Sequence, residues 1–191
     1  METRPSTLRP PFQNKPPSVL LHAVQALKTH ARRKGMDFQN ALKLIEQNSP
    51  NMAEEYSFQG LDKDQLFKVE LEHEGSEDCE ECDQTMIVKR PSRRNLMPKV
   101  HYGNIASGNK EMKDGASRDQ IAKKEKVMCF EMEAAGLMDN FPCLVIRGIC
   151  DYADSHKSSI WQPYAAATSA AFARILLGFV DKQEVIDTRS T

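Results

Sequence analysis

Cys143-Leu144-Val145-Ile146-Arg147-Gly148-Ile149-Cys150-Asp151 is a nearly unbroken apolar run that stops on a carboxylate. A run of this length, ended by a polar turn, predicts a strand covered on both faces, with Val145 to Ile149 at the centre of a sheet. Working upstream, Val127-Met128-Cys129-Phe130-Glu131-Met132 predicts a second, shorter strand with carboxylates at its end, and Glu133 to Met138 begins a helix. Arg118 to Lys126 reads as helix. Val100 to Gly108 reads as a strand that ends in a turn of small residues. Downstream, Pro163 to Val180 predicts a helix with proline at its first position and Phe172, Ile175, Leu176 and Phe179 on one stripe, packed across the sheet. Strand and helix alternate, which is the pattern of an α/β fold. In open α/β sheets ligands sit beyond the carboxyl ends of the strands. Three such ends carry polar chemistry here: Ser107 and Asn109, Glu131 and Glu133, Asp151 and Asp154.

The first half of the chain is different in character. Residues 1–17 hold five of the ten prolines and predict an extended lead-in. Ser18 is placed to cap a helix over Val19 to Lys34, with Leu20, Ala23, Val24 and Leu27 on one face, basic residues in the last turn and Gly35 as the stop. A shorter helix is expected over Asp37 to Gln47, with Phe38, Ala41, Leu42 and Ile45 on one side. Residues 48–98 read as an irregular, charged insertion on the surface, with short strands at Gln65 to Leu71 and Thr85 to Lys89. Residues 18–180 thus form the domain, and 181–191 a tail.

The 191 residues carry 26 basic and 27 acidic side chains, for a net charge of −1. That balance argues against a protein built to neutralise nucleic-acid phosphates. The charges are nevertheless in blocks. Residues 70–83 hold eight acids and no Lys or Arg, and residues 86–99 hold five basic residues and no acid. Such blocks predict solvated loops that pair with each other or with a partner. No run approaches the roughly 18 apolar residues of a membrane helix, and the N-terminus carries no apolar signal segment. The five cysteines are therefore expected as reduced thiols in a cytoplasmic compartment.

Two carboxylates are the main chemical candidates. Glu133, just past an apolar strand, is suited to accept two hydrogen bonds from a vicinal diol such as ribose, and equally suited to sit in a helix first turn for the macrodipole. Asp151 follows the apolar run. Burial there would favour the neutral acid, which can donate a proton to a leaving group, and the same position suits an Asp that caps the turn after a strand. Cys79-x-x-Cys82 with His73 upstream offers three metal ligands, but there is no second Cys-x-x-Cys, and the spacing favours a plain loop without zinc. His22, His30 and His101 read as surface or satisfied core residues, and His156 lies close enough to Asp151 in sequence to line the same cleft.

Three runs carry a resemblance. Cys129-Phe130-Glu131-Met132-Glu133-Ala134-Ala135-Gly136 is similar to the Met-Glu-Ala signature of the nucleoside phosphorylase/nucleosidase superfamily. Val145-Ile146-Arg147-Gly148-Ile149-Cys150-Asp151-Tyr152-Ala153-Asp154 resembles its Arg-x-x-Ser-Asp-x-Ala-Asp signature, and Gly103 to Asn109 resembles the strand and turn before the base pocket. The order and spacing also fit, and the wording is closest to the fungal-type purine/uridine phosphorylase-like subgroup, often fused to signalling modules. The Pro16 to Leu21 helix start and the His73 to Cys82 loop resemble that subgroup too. The resemblance implies a three-layer fold with a mixed central sheet flanked by helices. It implies Asp151 as the general acid at purine N7, and Glu133 on the ribose hydroxyls with Met132 packed on the sugar. Glu131 would join this substrate-binding set, and Ser107 to Met112, with Asn109 among them, would line the base pocket. No cofactor is implied beyond phosphate as a co-substrate, water being the alternative nucleophile.

Three departures shape the expectation. The acid follows Cys150 where the family has a serine, and Glu111 stands where the base would stack. The third is the first half of the family's sheet, with its Gly-rich phosphate site, which has no counterpart before Gly103. The chain is therefore expected to be the C-terminal portion of such a domain, with an open sheet edge and an uncovered apolar face. It would be completed by another segment, by a homo-oligomer or by a protein partner. Two functions remain: purine ribosyl C–N bond cleavage in nucleoside metabolism, or a non-catalytic nucleoside-sensing or interaction module derived from the same fold. Neither involves nucleic acid or a membrane.

Overall fold

The structure is a computed structural model that describes residues 15–75 and 79–188. The lead-in expected over 1–17 falls outside these residues except for its last three.

The chain opens with two helices. α1 spans Ser18–Lys34 and α2 spans Phe38–Asn48. α1 starts one residue earlier than the capping argument placed it: the carbonyl of Pro17 accepts from the N–H groups of Leu20 and Leu21, and Ser18 is the first helical residue with no side-chain cap. The buried face is correspondingly Val19, Ala23 and Leu27. α2 is capped by Asp37, whose carboxylate accepts from the Asn40 N–H at 3.2 Å. Gly35, with φ of 80°, makes the turn between them in a backbone region that disfavours side chains.

α5, over Gln162–Leu177, completes the helical core. Ala165, Ala167 and Ala171 are buried on it, and Ala171 sits with Phe38 and Ala41 of α2 in one cluster. Leu176 joins Ala23 and Leu27 of α1 in another, with Leu144 and Ile146 packed against it. The helix expected to lie across a sheet instead packs on α1 and α2. The reason lies in its composition: the buried Ala171 lets α2 approach, Ala165 lets the 143–150 run approach at Gly148, and Leu176 faces α1.

The strands are fewer than expected. β1 (Asn104–Ser107) and β2 (Val127–Glu131) form one parallel two-stranded sheet, joined through α3 (Gly115–Glu125). Asp114 caps α3, accepting from the Ser117 N–H at 2.6 Å. A short helix, α4 (Ala134–Met138), follows β2 directly. The molecule is thus a mixture of helix and strand, with the α/β pattern reduced to one strand–helix–strand unit.

The run 143–150 belongs to no sheet among the described residues. A strand needs a partner ladder, and the run makes none with β1 or β2, although the two-stranded sheet leaves one edge of each open. One side of the run is covered: Leu144 and Ile146 reach the α1/α5 core, and a Cβ on Gly148 would collide with the backbone carbonyl of Ala165. The other side is not, and Ile149 is 52% exposed. The central-strand expectation is corrected to an irregular segment, outside any sheet, docked on a helix.

Residues 48–98 have little regular structure, as expected, but they are not without a core. Phe67 makes an isolated antiparallel bridge with Ile87, which is all that forms of the two short strands expected there. Phe67, Cys79 and Cys82 are buried together, with Leu71, Met86 and Ile87 packed around them. The described acids of the 70–83 block are exposed or at most half-buried while the two cysteines point inward, so the surface reading holds for the carboxylates and fails for the thiols. At the other end, the stretch expected as a tail begins with a helix, α6 (Lys182–Thr188), because Asp181 accepts from the N–H groups of Gln183 and Glu184.

Candidate functional site

The parallel pairing of β1 and β2 sets Ser107 opposite Glu131. Beyond them the chain turns into α4, and the two motif runs meet there. The Ser107 hydroxyl accepts from the Ala135 N–H at 3.0 Å. One carboxylate oxygen of Glu131 accepts from the Glu133 and Ala134 N–H groups at 2.9 and 2.6 Å. Glu131 and Ser107 together satisfy three of the donors that a helix start leaves open. Glu131 is 7% exposed, and its second oxygen, Oε1, is buried with no hydrogen-bond partner among the described residues. A buried, unsatisfied carboxylate oxygen is costly, of the order of 1–3 kcal/mol or more, unless a donor reaches it. Position had made Glu133 the leading carboxylate of this pair. Glu133 is instead exposed and accepts only from the neighbouring Met132 N–H, at 3.1 Å, and Met132 is also exposed.

Asp151 is held in a shell of donors rather than in an apolar pocket. One oxygen accepts from the Ala153 N–H at 2.8 Å; the other lies 3.4 Å from the Cys150 thiol and 3.5 Å from the Lys157 ammonium. Burial, and then the Asp151 charge, push the Cys150 thiol up, so it stays protonated and can donate to Asp151. Lys157 also pairs with Glu111 at 2.9 Å. Glu111, expected as an awkward charge in a stacking slot, is therefore an exposed carboxylate between two ammonium groups; Lys157 first and Lys113 second hold it below the usual carboxylate range. Asn109 is exposed and Met112 half-buried.

Two polar knots next to Asp151 carried no sequence signal. Asp154 is 6% exposed; it accepts from Arg118 of α3 at 3.3 Å and from the His156 N–H at 3.0 Å, while Arg118 also donates to the Tyr152 carbonyl. The Tyr152 hydroxyl donates to Asp64 at 2.6 Å and is met by the Arg90 guanidinium. Burial first, and Asp64 second, push the Tyr152 phenol up to about 12. Apart from the local Asp154–His156 contact, the partners are 34 to 88 residues apart in sequence, which no local pattern reveals. Of these residues the sequence points to Asp154 and His156 alone.

His156 does not line an open cleft. Its ring is buried, stacked on Phe67 with centroids 4.4 Å apart, and its Nε2 has no partner among the described residues. Beside it, His73 Nδ1 stands 3.5 Å from the Cys79 sulfur and 3.4 Å from the Cys82 sulfur. The three donor atoms lie within 4.8 Å of one another, a convergence that their spacing did not signal. His22 and His30 are peripheral as expected, the first paired with Glu184 and the second against the edge of Phe179.

A cavity of about 500 Å³ lies elsewhere, between α2 and α5, lined by Leu42, Ile45, Met52, Phe58, Met97 and Tyr164 among others. Neither Ser107, Glu133 nor Asp151 lines it. No helix among the described residues is long and apolar enough to cross a membrane.

No protein-family model matches the chain, and no solved structure does. A nucleotide-binding leucine-rich repeat (NLR)-like protein of Hyaloscypha variabilis is 42% identical over 174 residues. The match takes in 90% of this chain and 17% of that protein, so the chain spans about a sixth of the length of the relative it matches.

Proposed function

We propose that the chain is the C-terminal portion of a nucleoside phosphorylase-like domain, and that the ends of β1 and β2 together with the Asp151 loop take a purine nucleoside. The observation that supports this most is the union of two of the three motif runs: Ser107 and Glu131 stand side by side at the carboxyl ends of parallel strands, where open α/β sheets bind ligands. In this reading Glu133 and Met132, both exposed, are free to meet the ribose, and Ser107, Asn109 and Met112 flank the base. Glu131 fixes the α4 start. Asp151, with a proton taken up from solvent, protonates or hydrogen-bonds purine N7 as the ribosyl C–N bond breaks, and phosphate or water supplies the oxygen that bonds to the anomeric carbon.

The three-layer sheet of such a domain would be completed by chain outside 100–151 or by a partner. The exposed Met128 and Ile149 and the unpaired run 143–150 are consistent with that need. Positioning of substrate and nucleophile accounts for up to about 7–11 kcal/mol of such a barrier, against about 10²–10⁴-fold for the acid. The chain alone should therefore bind weakly and not turn over.

A second reading, nucleoside sensing without cleavage, is favoured by one feature: Asp151 is engaged by Lys157 and Cys150, and Lys157 is itself tied to Glu111. The test is titration of the chain with inosine, adenosine and methylthioadenosine by NMR, beside a purine-release assay with and without phosphate. Weak binding that is lost in Glu133→Gln, with no release, supports the incomplete-domain reading. Absence of any binding overturns the site. Release abolished in Asp151→Asn shows the chain to be a complete enzyme and overturns the incomplete-domain assignment.

A further inference from the structure

We propose that His73, Cys79 and Cys82 form a zinc site that clamps the 65–88 segment onto the Asp151–Lys157 loop. The inference is independent of the nucleoside reading.

The argument begins with distances. Zinc bonds of about 2.3 Å to sulfur and about 2.0–2.1 Å to nitrogen, at a tetrahedral angle, place sulfur and nitrogen ligands about 3.5 Å apart. The two sulfurs stand 3.5 and 3.4 Å from the same nitrogen, His73 Nδ1. Thiol–imidazole hydrogen bonding accounts for this less well, because a neutral imidazole nitrogen has a single lone pair for two S–H donors. An ion bonded to all three, just out of the plane of the triangle, satisfies the three atoms at once. The ion balances as well: Zn²⁺ displaces two thiol protons to solvent, the two thiolates cancel its charge, and the imidazole binds neutral. Water fills the fourth position.

The surroundings are those of a built site. Cys79 and Cys82 are 7% and 4% exposed, in a cluster with Phe67. The Cys-x-x-Cys turn closes with the Cys82 N–H donating to the Cys79 carbonyl, and Cys79 takes a φ of 58°, unusual for a residue with a side chain. The amide of Gln84 donates to both cysteine carbonyls at 3.0 Å, which fixes the turn from outside. The eight acids of residues 70–83 give the site a negative field that draws a cation. The buried, unpartnered Nε2 of His156, whose ring centroid lies 5.7 Å from that of His73, marks the same corner as one with a group still to be placed. Among the described residues the Cys82 thiol has one further contact, a long one of 3.7 Å to the Glu74 carbonyl.

The clamp reaches the candidate site through two contacts. The His73 N–H donates to the Ser155 hydroxyl at 3.0 Å, and Phe67 stacks on His156. Closing the metal site therefore holds the loop that carries Asp151 and Asp154.

The test is made on the whole chain, expressed with added zinc and purified under reductant. Elemental analysis should give one zinc per chain. Cobalt(II) exchanged into the site should show thiolate charge-transfer absorption in the near ultraviolet and the intense visible bands of a tetrahedral centre. Both signals should fall to background in Cys79→Ala/Cys82→Ala, and His73→Ala should weaken metal retention while keeping the thiolate band. A chelator should lower the melting temperature of the wild type and leave the double variant unmoved. Should the variants fail to fold, the wild-type stoichiometry and cobalt spectrum still decide. Far less than one metal per chain, a cobalt spectrum without thiolate bands, or full metal retention in the double variant overturns the proposal.

Discussion

The helical region and the strand-end region of this molecule are held by different forces. α1, α2 and α5 meet through methyl groups: Leu27 and Ala171 are fully buried, and no ion is needed to fix them. Around β1, β2 and the run 143–157 the buried apolar side chains are only the small Ala106 and Ala134, and carboxylates are buried beside them. Glu131 and Asp154 are the buried charged residues there, each tied by hydrogen bonds, while Met128, Met132, Leu137, Phe141 and Ile149 are exposed. A region that buries carboxylates and exposes large apolar side chains has its own core only in part. The helical region buries most of its large apolar side chains, Leu21 and Leu177 excepted; the strand-end region leaves more of them open.

The sharpest way to break this comparison is at Arg118. Its guanidinium is 17% exposed and faces Asp154, whose side chain is 9% exposed. Arg118→Ala leaves a buried carboxylate with its charge uncompensated, and we expect a loss of about 3–5 kcal/mol in urea unfolding. Arg118→Lys should restore only part of that: one guanidinium nitrogen serves both Asp154 and the Tyr152 carbonyl while Nε donates to Asp119, and a lone ammonium has no second nitrogen for Asp119. A loss under about 1 kcal/mol would place Asp154 in contact with water and remove the polar pin. The matching experiment in the helical region is Leu27→Ala, for which about 2–5 kcal/mol is expected, since the residue is fully buried between α1 and α5. A loss below that range would mean that α5 is not docked on α1.

A smaller effect should appear at high pH. The Tyr152 phenol is raised to about 12 by burial and by Asp64. A group whose folded value lies above its unfolded one, near 10, stabilises the fold fully below pH 10 and stops doing so as pH rises through about 12. Thermal melts of the wild type should therefore fall between about pH 10 and 12 more steeply than those of Tyr152→Phe. Parallel curves for the two proteins would show that Tyr152 titrates like an exposed tyrosine.

The same comparison explains what the sequence revealed. The helices were legible because their information is local: the three- and four-residue spacing of Ala23 and Leu27, that of Phe38 and Ala41, and Pro163 near the start of α5 each act within a turn or two. β1 and β2 were legible for the same reason, as short runs with polar ends. The run 143–150 misled because apolar periodicity reports burial, not pairing; its side chains are half-covered by α5 without a strand beside it. At the site, Ser107 and Glu131 could be placed by strand ends, but their roles could not. Which of Glu131 and Glu133 turns inward depends on where α4 begins, and that is settled by the N–H groups of residues 133–135. The Arg118–Asp154 and Tyr152–Asp64 pairs join segments with no shared pattern, and the trio His73, Cys79 and Cys82 is visible as residue types in one loop while its convergence is not.

The smallest expected effect is the one that tests openness directly. Ile149 and Met128 are 52% and 51% exposed. Ile149→Thr and Met128→Thr trade an apolar side chain for a smaller polar one at positions that solvent already reaches. In this chain each should change unfolding free energy by no more than about 0.5 kcal/mol, the range of ordinary surface substitutions. In a form of the protein that supplies the rest of the sheet, the same changes would create a buried hydroxyl and a cavity, and should cost about 2 kcal/mol or more. The difference between those two contexts measures how much of each side chain is covered from outside residues 100–151. If Ile149→Thr costs this chain as much as Leu27→Ala, then the run 143–150 is already a core strand in solution, and the contrast between a closed helical region and an open strand-end region is lost.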